Sequence, residues 1–556
     1  MSGSDEFVFL PLGGSGEIGM NLNLYGFGAE HDRKWIIVDL GVTFGDLTTP
    51  GVEVIMPDPS FIEEHADNLL AIVLTHAHED HMGAVARLWP RLKAPIYATP
   101  FTAWLVRDRL AEVGLEDVAP VREIPLDARF EIGPFDLQLI TITHSIPEPN
   151  ALVVRTPKGV VLHTGDWKID PEPQIGEPTD VEAIRAIGEE GVLAMVCDST
   201  NVFKEGESGS EGDVRDELIK LVGELEGKVA IASFASNVAR METAVRAAEA
   251  NGRSVCLVGR SMLRMAAAAK SVGMLSGVAP FVDMEDAADL PASKVLYLCT
   301  GSQGEPRAAL SRIAAGAHRH VSLGRGDTVI FSSRVIPGNE TAIHDLQNQL
   351  TERGVDVITD SDRAIHVSGH PCRDELKQMY AWARPRLAIP VHGERRHLLE
   401  HAKLAKGLQI PKAIAARNGD MILLDPDKAA VIDEVPAGRL HVDGEAIVPA
   451  DADSLRERKR MSYNGHVVVA LAVDDGGKIV DGPDVRAVGL PDAAAAPLEG
   501  LLDRAAEEAE RVWRRLSRSE RDDEDAAEDA VGRVVRRLVQ QATDKRPLVE
   551  TVILRV

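Results

Sequence analysis

The sequence predicts a mixed α/β and α+β protein. A sheet-on-sheet sandwich flanked by helices carries an inserted parallel-sheet domain, and a small α+β module follows. Three observations lead there. An apolar run, Leu69-Leu70-Ala71-Ile72-Val73-Leu74, enters Thr75-His76-Ala77-His78-Glu79-Asp80-His81. From about Glu211, near-continuous apolar strands alternate with helices, the pattern of a parallel sheet covered on both faces. Far beyond that block, an isolated His392 ends another apolar strand, Leu387–Val391. If His392 meets the histidines near residue 76, the block is inserted within the first domain.

The bulk numbers set bounds. At 556 residues the chain is longer than one core usually serves, so two or three domains are expected. No run of about eighteen uncharged apolar residues occurs, which predicts no membrane span. Met1–Glu6 lacks the basic and apolar regions of a signal peptide. Cys197, Cys256, Cys299 and Cys372 are scattered without CxxC spacing, which predicts reduced thiols in a cytoplasmic protein. The formal charge of −26 alone argues against nucleic-acid binding. A metal centre or a locally basic groove can reverse that argument.

In chain order, the strand Phe7–Leu12 runs into Gly13-Gly14-Ser15-Gly16-Glu17-Ile18-Gly19. Gly14, Gly16 and Gly19 match GxGxxG, with Asp39 about twenty residues on. The alternating Met20–Tyr25 that follows is a strand, whereas a dinucleotide turn must open a helix. The glycines are therefore read as a β-turn beside the metal site. Trp35–Gly41 is a buried strand. Next come the metal strand, a helix near Ala84–Leu92, a short strand Pro95–Ala98 and a helix from Thr102 to about Val113. The β-rich stretches Arg129–Thr143 and Leu152–Thr164 follow.

His76 and His78 are two apart on an extended backbone and project to one side. Asp80 and His81 follow the bend and can face a second metal. Imidazole with carboxylate suits zinc or manganese. His144, Asp166 and His392 each end an apolar strand. The set assigns His76, His78 and His144 to one ion and Asp80, His81 and His392 to another, with Asp166 shared. His31, His65, His318, His397 and His441 lack this context and are expected at the surface. Asp198 ends the strand Val192–Cys197. It reads either as a helix N-cap or as an acid orienting a ligand imidazole.

In the inserted block each strand ends in small polar residues, where open α/β sheets bind ligands. Ser233-Phe234-Ala235-Ser236-Asn237 offers hydroxyls, an amide and helix N-terminal amides to a phosphate, and an aromatic face to a base. His366-Val367-Ser368-Gly369-His370 reads as an anion cradle with a proton donor, and His370 is the candidate donor. The expected divisions are 1–210 and 346–425 for the sandwich, 211–345 for the insert, 426–454 for a linker and 455–556 for the last module. That module predicts a strand at Val467–Ala472, a charged helix from Leu501 to Arg518, a helix over Ala526–Gln541 and a strand at Val549–Val556. The acidic run Glu520–Asp525 is read as a solvated face.

HxHxDH, His144, Asp166, Asp198-Ser199-Thr200, the α/β block, His-Val-Ser-Gly-His and Pro-Val-His-Gly-Glu occur in this order over about 7–450. This resembles the β-CASP branch of the metallo-β-lactamase superfamily, and within it the ribonuclease J family. The resemblance implies an αββα sandwich with an inserted β-CASP domain. It also implies two divalent ions per chain, zinc with manganese or magnesium as alternatives. It implies hydrolysis of single-stranded RNA in 5′-to-3′ exonucleolytic and endonucleolytic modes, with preference for 5′-monophosphate ends. Roles in mRNA decay and rRNA maturation follow, as does a homodimer or homotetramer built through the C-terminal domain. By the same likeness His370, Asp80 and Asp198 form the catalytic set, with Asp198 as the acid of the first β-CASP motif. Ser233–Asn237 and His366–His370 match the nucleotide-binding stretches. The alternatives are a β-CASP nuclease acting on DNA, another hydrolase of this fold, or a non-catalytic RNA-binding subunit.

Overall fold

The computed structural model describes residues 5–492 and 497–556. Met1–Ser4, part of the segment read against a signal peptide, lie outside them. The chain divides into two compact units: residues 1–43 with 56–438, and residues 44–55 with 439–556.

In the first unit, two sheets face each other. One is eight-stranded, in the order Ala430–Glu434, Asp420–Leu423, Glu6–Gly13, Leu22–Gly28, Lys34–Leu40, Leu69–Val73, Ile96–Ala98 and Val121–Glu123. The other is seven-stranded, in the order Arg129–Ile132, Phe135–Thr141, Asn150–Thr156, Gly159–His163, Val192–Asp198, Leu387–Val391 and Lys412–Ala413. Between them Phe7, Phe9, Tyr25, Ile36, Val38 and Val73 pack on Leu137, Leu139, Val154, Val196 and Ile389. The alternation of side chains along each strand sends the next residues to the outer face. There Ile140, Val153, Leu162 and Met195 meet Ile184, Leu376, Met379 and Leu404 of three helices. Burying such side chains removes apolar area worth roughly 25 cal/mol per Å2, the main force holding the layers together.

The insert leaves after Val192–Asp198 and returns at Leu387–Val391. These two strands pair in parallel, Ala194 with Leu387 through Asp198 with Val391. That register sets Asp198 beside the residue that precedes His392. The insert itself holds a five-stranded, wholly parallel sheet: Ser254–Val258, Val295–Cys299, Val229–Ala232, Thr328–Phe331 and Asp356–Ile358. On one face Tyr297, Val329 and Phe331 pack against Leu310, Ile343 and Leu350. The fifth strand, Asp356–Ile358, lies past the boundary at 345 read from the sequence, because the helix Glu340–Glu352 belongs to this sheet's layer.

The expected linker is also different. Residues 426–454 form the strands Ala430–Glu434, Arg439–Asp443 and Ala446–Pro449. Val431-Ile432 and Leu440-His441-Val442 are too short between turn residues to stand out as strands, and register with a neighbour completes them.

The second unit has a three-stranded sheet, Ile479–Val488, His466–Val473 and Leu548–Arg555, with the helices Leu498–Arg515 and Glu524–Thr543. Its core joins Val467 and Val469 to Ala505, Ala509, Val531, Val535 and Val539. The strand Ile479–Val488 and the helix Asp453–Asn464 were not anticipated. Glu520, Asp522, Asp523, Glu524 and Asp525 are exposed, as a solvated face requires. Among the described residues no helix is long and apolar enough to cross a membrane.

Candidate metal centre

The strand Leu69–Val73 delivers Thr75–His81 to one edge of the sandwich, and the backbone bends into the short helix Glu79–Met82. The bend is held from below. Asp39, at φ +64°, receives the Thr75 N–H at 2.7 Å, the Thr75 hydroxyl at 2.8 Å and His81 Nδ1 at 2.7 Å. Asn21 donates its backbone N–H to the Asp80 carbonyl at 3.0 Å, and its carboxamide lies 3.0 Å from His392 Nδ1. The glycine turn lies alongside. Ser15–Gly16 pairs with Gly393–Glu394, and the Gly14 carbonyl receives the His392 N–H at 2.7 Å. Gly14, Gly16 and Gly19 all hold positive φ, and the strand Leu22–Gly28 follows where a dinucleotide turn would open a helix.

Two sets of ligand atoms result, each within 4.8 Å: His76, His78, His144 and Asp166, and then Asp80, His81, Asp166 and His392. In the first, His78 Nδ1 lies 3.2 Å from His76 Nε2 and 3.0 Å from His144 Nε2. In the second, Asp166 Oδ2 lies 3.2 Å from His81 Nε2 and 3.5 Å from His392 Nε2. Asp166 is common to both. A third set joins Asp166 to Asp198 and His370.

The hydrogen bonds fix which nitrogens point inward. His144 Nδ1 faces the Gly369 carbonyl at 2.5 Å, so it carries the proton and Nε2 is bare. The Thr75 hydroxyl donates to Asp39 and therefore accepts from His76 Nδ1 at 2.9 Å, which leaves His76 Nε2 bare. His81 Nδ1 serves Asp39 in the same way. Asp166 Oδ1 and His392 Nε2 are buried without a hydrogen-bond partner. Bare lone pairs facing one another at about 3 Å repel, and a divalent cation satisfies them together. The donor set, imidazole with carboxylate, fits zinc or manganese.

The electrostatics agree at Asp166 and at the first ligand set. Burial raises the Asp166 carboxyl, but His392, His81 and His370 outweigh it and hold its pKa well below the usual range. Burial pushes His76 and His144 well below an ordinary imidazole, and His78 down to about 4. These rings are neutral, the form that binds a metal. His81 goes the other way: burial is outweighed by Asp166, Asp80 and Asp39, and its pKa stands well above an ordinary imidazole. His370 does the same. Burial opposes its charge, but Asp198 and then Asp166 push its pKa up to about 9. Its Nδ1 lies 2.8 Å from Asp198 Oδ2 and 3.8 Å from Asp166 Oδ2. Asp198 thus orients His370, not a ligand imidazole, and its other oxygen receives the Thr200 N–H at 2.8 Å.

The cradle closes over this centre. Asn201 Nδ2 donates to Ser368 Oγ at 2.7 Å and to the His370 carbonyl at 2.9 Å. Ser236 Oγ, from the insert, lies 3.2 Å from His78 Nε2. Phe234 and Ala235 are half-buried beside it, and Ser233 is buried. Asn237 is buried too, and its carboxamide oxygen caps the helix Val238–Ala250 through the Arg240 N–H at 2.9 Å. His366 and Val367 stand apart from the ligand sets. Burial and Arg240 push the His366 ring down to about 3, so it is neutral. A Cβ placed on Gly209 would come within 2.8 Å of Val367. A Cβ on Gly369 would come within 2.9 Å of the His144 ring and 2.7 Å of Ser145 Oγ. Gly369→Ala should therefore displace His144 and lower metal affinity about 10–100-fold, measured by chelator competition, with the melting temperature little changed.

His397 and His441, expected at the surface, are buried at 7% and 5% exposure. His397 lies edge-on to Phe203, and His441 belongs to the strand Arg439–Asp443. His31 is exposed, and His65 and His318 are half-buried. Asn21, Thr75 and Asn201 were missed by sequence reasoning. Asp39 carried a signal, a carboxylate inside an apolar strand that must find partners when buried.

Comparison with known proteins places this geometry. The chain matches the metallo-beta-lactamase superfamily over residues 28–224 and the ribonuclease J beta-CASP domain over 226–350. It matches the Zn-dependent metallo-hydrolase RNA specificity domain over 354–415 and the ribonuclease J C-terminal domain over 453–556. It is 46% identical to Ribonuclease J of Sinorhizobium meliloti, across 100% of this chain and 98% of that protein. It is 37% identical to Ribonuclease J of Corynebacterium glutamicum, across 98% of this chain and 75% of that protein. With Ribonuclease J of Thermus thermophilus the identity is 37%, across 85% of this chain and 83% of that protein. A solved structure of a protein of unknown function from Enterococcus faecalis covers 75% of this chain and all of its own at a TM-score of 0.52 and 15% identity, which shows the fold alone. With a full-length relative at 46% identity and matching domains in order, the chain belongs to the ribonuclease J family.

Proposed function

We propose that the chain is a metal-dependent ribonuclease that holds two divalent ions, His76, His78 and His144 on one, Asp80, His81 and His392 on the other, and Asp166 between. The observation that supports this most is the convergence of both ligand sets on Asp166, with a charged His370 beside it. Bound there, such ions would lower the pKa of a water that attacks a phosphodiester and would offset charge on its oxygens.

The chain's own groups do the rest. His370 keeps Nδ1 on Asp198, so its Nε2–H can protonate the leaving 3′ oxygen. Ser368 Oγ already accepts from Asn201 and from the His370 N–H at 3.2 Å, so its own proton is free for a phosphate oxygen. Ser236 Oγ lies 3.2 Å from His78 Nε2; with His78 Nδ1 turned to an ion, Nε2 would carry the proton and leave the Ser236 hydroxyl to donate likewise. Phe234 offers a face to a base.

Both 5′-to-3′ exonucleolytic and internal cleavage, preference for a 5′-monophosphate, and work in mRNA decay and rRNA maturation in the cytoplasm complete the reading. Zinc is the favoured ion, with manganese and magnesium as alternatives, and the chain assembles as a homodimer or homotetramer through its C-terminal module. The test uses end-labelled single-stranded RNA with 5′-monophosphate or 5′-triphosphate ends, a DNA control and added metals. Metal-dependent release of mononucleotides, faster from the monophosphate, is expected. Cleavage of DNA in place of RNA, or cleavage unaffected by chelation, would overturn the reading.

A further inference from the structure

After Asp198 the chain turns outward through Asn201-Val202-Phe203-Lys204. The Phe203 ring is 52% exposed. A single exposed aromatic is ordinary on a protein surface. This one has company. The Arg396 guanidinium lies 5.9 Å from its centroid, and the His397 ring meets it edge-on at 5.2 Å. His397 is 7% exposed, and its Nδ1 is buried without a hydrogen-bond partner among the described residues.

Two further cations belong to the same turn of chain. Lys204 is the next residue and is exposed. Arg334, half-buried, donates to the Asn201 side-chain oxygen at 2.7 Å, while Asn201 Nδ2 holds Ser368 and the His370 carbonyl. Burial and then Arg334 push the Lys204 ammonium below its ordinary pKa, and the opposing groups are Cys372 and the exposed Asp360. In a chain of net charge −26, an exposed ring with Arg396 over it, itself ion-paired with Glu394 at 2.9 Å, with Lys204 next in sequence and Arg334 on Asn201, sits one loop from the proton donor. Phe203 is only two residues, about 7 Å of chain, from Asn201. An aromatic platform with flanking cations is how single strands are bound without sequence preference.

We propose that Phe203, Lys204 and Arg334 form a further nucleotide subsite for single-stranded RNA, a base stacking on Phe203 and a neighbouring phosphate lying between Lys204 and Arg334. This subsite rests on the ribonuclease reading and adds a place where the strand is gripped outside the metal centre. It is sequence-tolerant, since every base has a π-face, and it is salt-sensitive through its cations.

The experiment measures binding of a short fluorescein-labelled oligouridylate by anisotropy across a salt series, with full-length protein carrying His370→Ala to suppress turnover. Adding Phe203→Ala should weaken binding about tenfold, while Phe203→Trp keeps it. Adding Lys204→Ala should reduce the slope of log K against log salt by about 0.7, while Lys204→Arg keeps it. Unchanged affinity in the Phe203→Ala protein together with an unchanged slope in the Lys204→Ala protein would overturn the subsite. That outcome is distinct from failure of the ribonuclease reading, in which the unaltered chain neither cleaves nor binds RNA.

Discussion

Asp166→Asn lowers RNA cleavage by about a thousandfold or more and takes metal content below two ions per chain. Asp166 is 2% exposed and belongs to both ligand sets. Its negative charge faces His81 Nε2 at 3.2 Å and His392 Nε2 at 3.5 Å, and no other carboxylate among the described residues spans the two sets. Asparagine keeps the shape and removes the charge that a pair of dications needs between them. A metal pair supplies several kcal/mol of transition-state stabilisation, and about 4 kcal/mol corresponds to about a thousandfold in rate. Metal analysis of the purified variant beside single-turnover cleavage checks both halves. Full activity with two ions retained would show that Asp166 bridges nothing.

His370→Ala separates chemistry from metal binding. Its ring is held by Asp198 at 2.8 Å and approaches Asp166 no closer than 3.8 Å. Loss of a general acid costs about 10²–10⁴-fold in the chemical step. The expected result is a fall in kcat of that order with metal content unchanged. Loss of an ion on this substitution would instead make His370 a ligand through the set it shares with Asp166 and Asp198.

Much of this was legible in the sequence, and for physical reasons. HxHxDH follows a strand whose five residues, Leu69–Val73, are buried or nearly so, and ligand residues clustered there have few other uses. The inserted topology followed from His392 alone, and the pairing of Asp198 with Val391 shows how the two parts meet. The βαβ rhythm gave the parallel sheet because both its faces are covered and its strands are apolar throughout.

What stayed hidden depends on main chain and on register. The Gly369 carbonyl that orients His144 has no sequence signature beyond the glycine itself. Asn21 and Asn201 are single polar residues whose partners lie far along the chain, at His392 and Ser368. Asp39 stands about twenty residues beyond the glycines, the spacing of a dinucleotide fingerprint, and the structure turns it under His81. The strands at Ala430–Glu434 and Arg439–Asp443 are short pieces that pairing stabilises, so local composition described them poorly.

On the proposed reading, two ions share Asp166. Diffraction from crystals grown with zinc, recorded at the zinc edge, tests it most directly. Two anomalous peaks about 3.5–4 Å apart are expected, one among His76, His78 and His144, the other among Asp80, His81 and His392, with the Asp166 carboxylate between them. A single peak, or two peaks with Asp166 bound to only one, would contradict it.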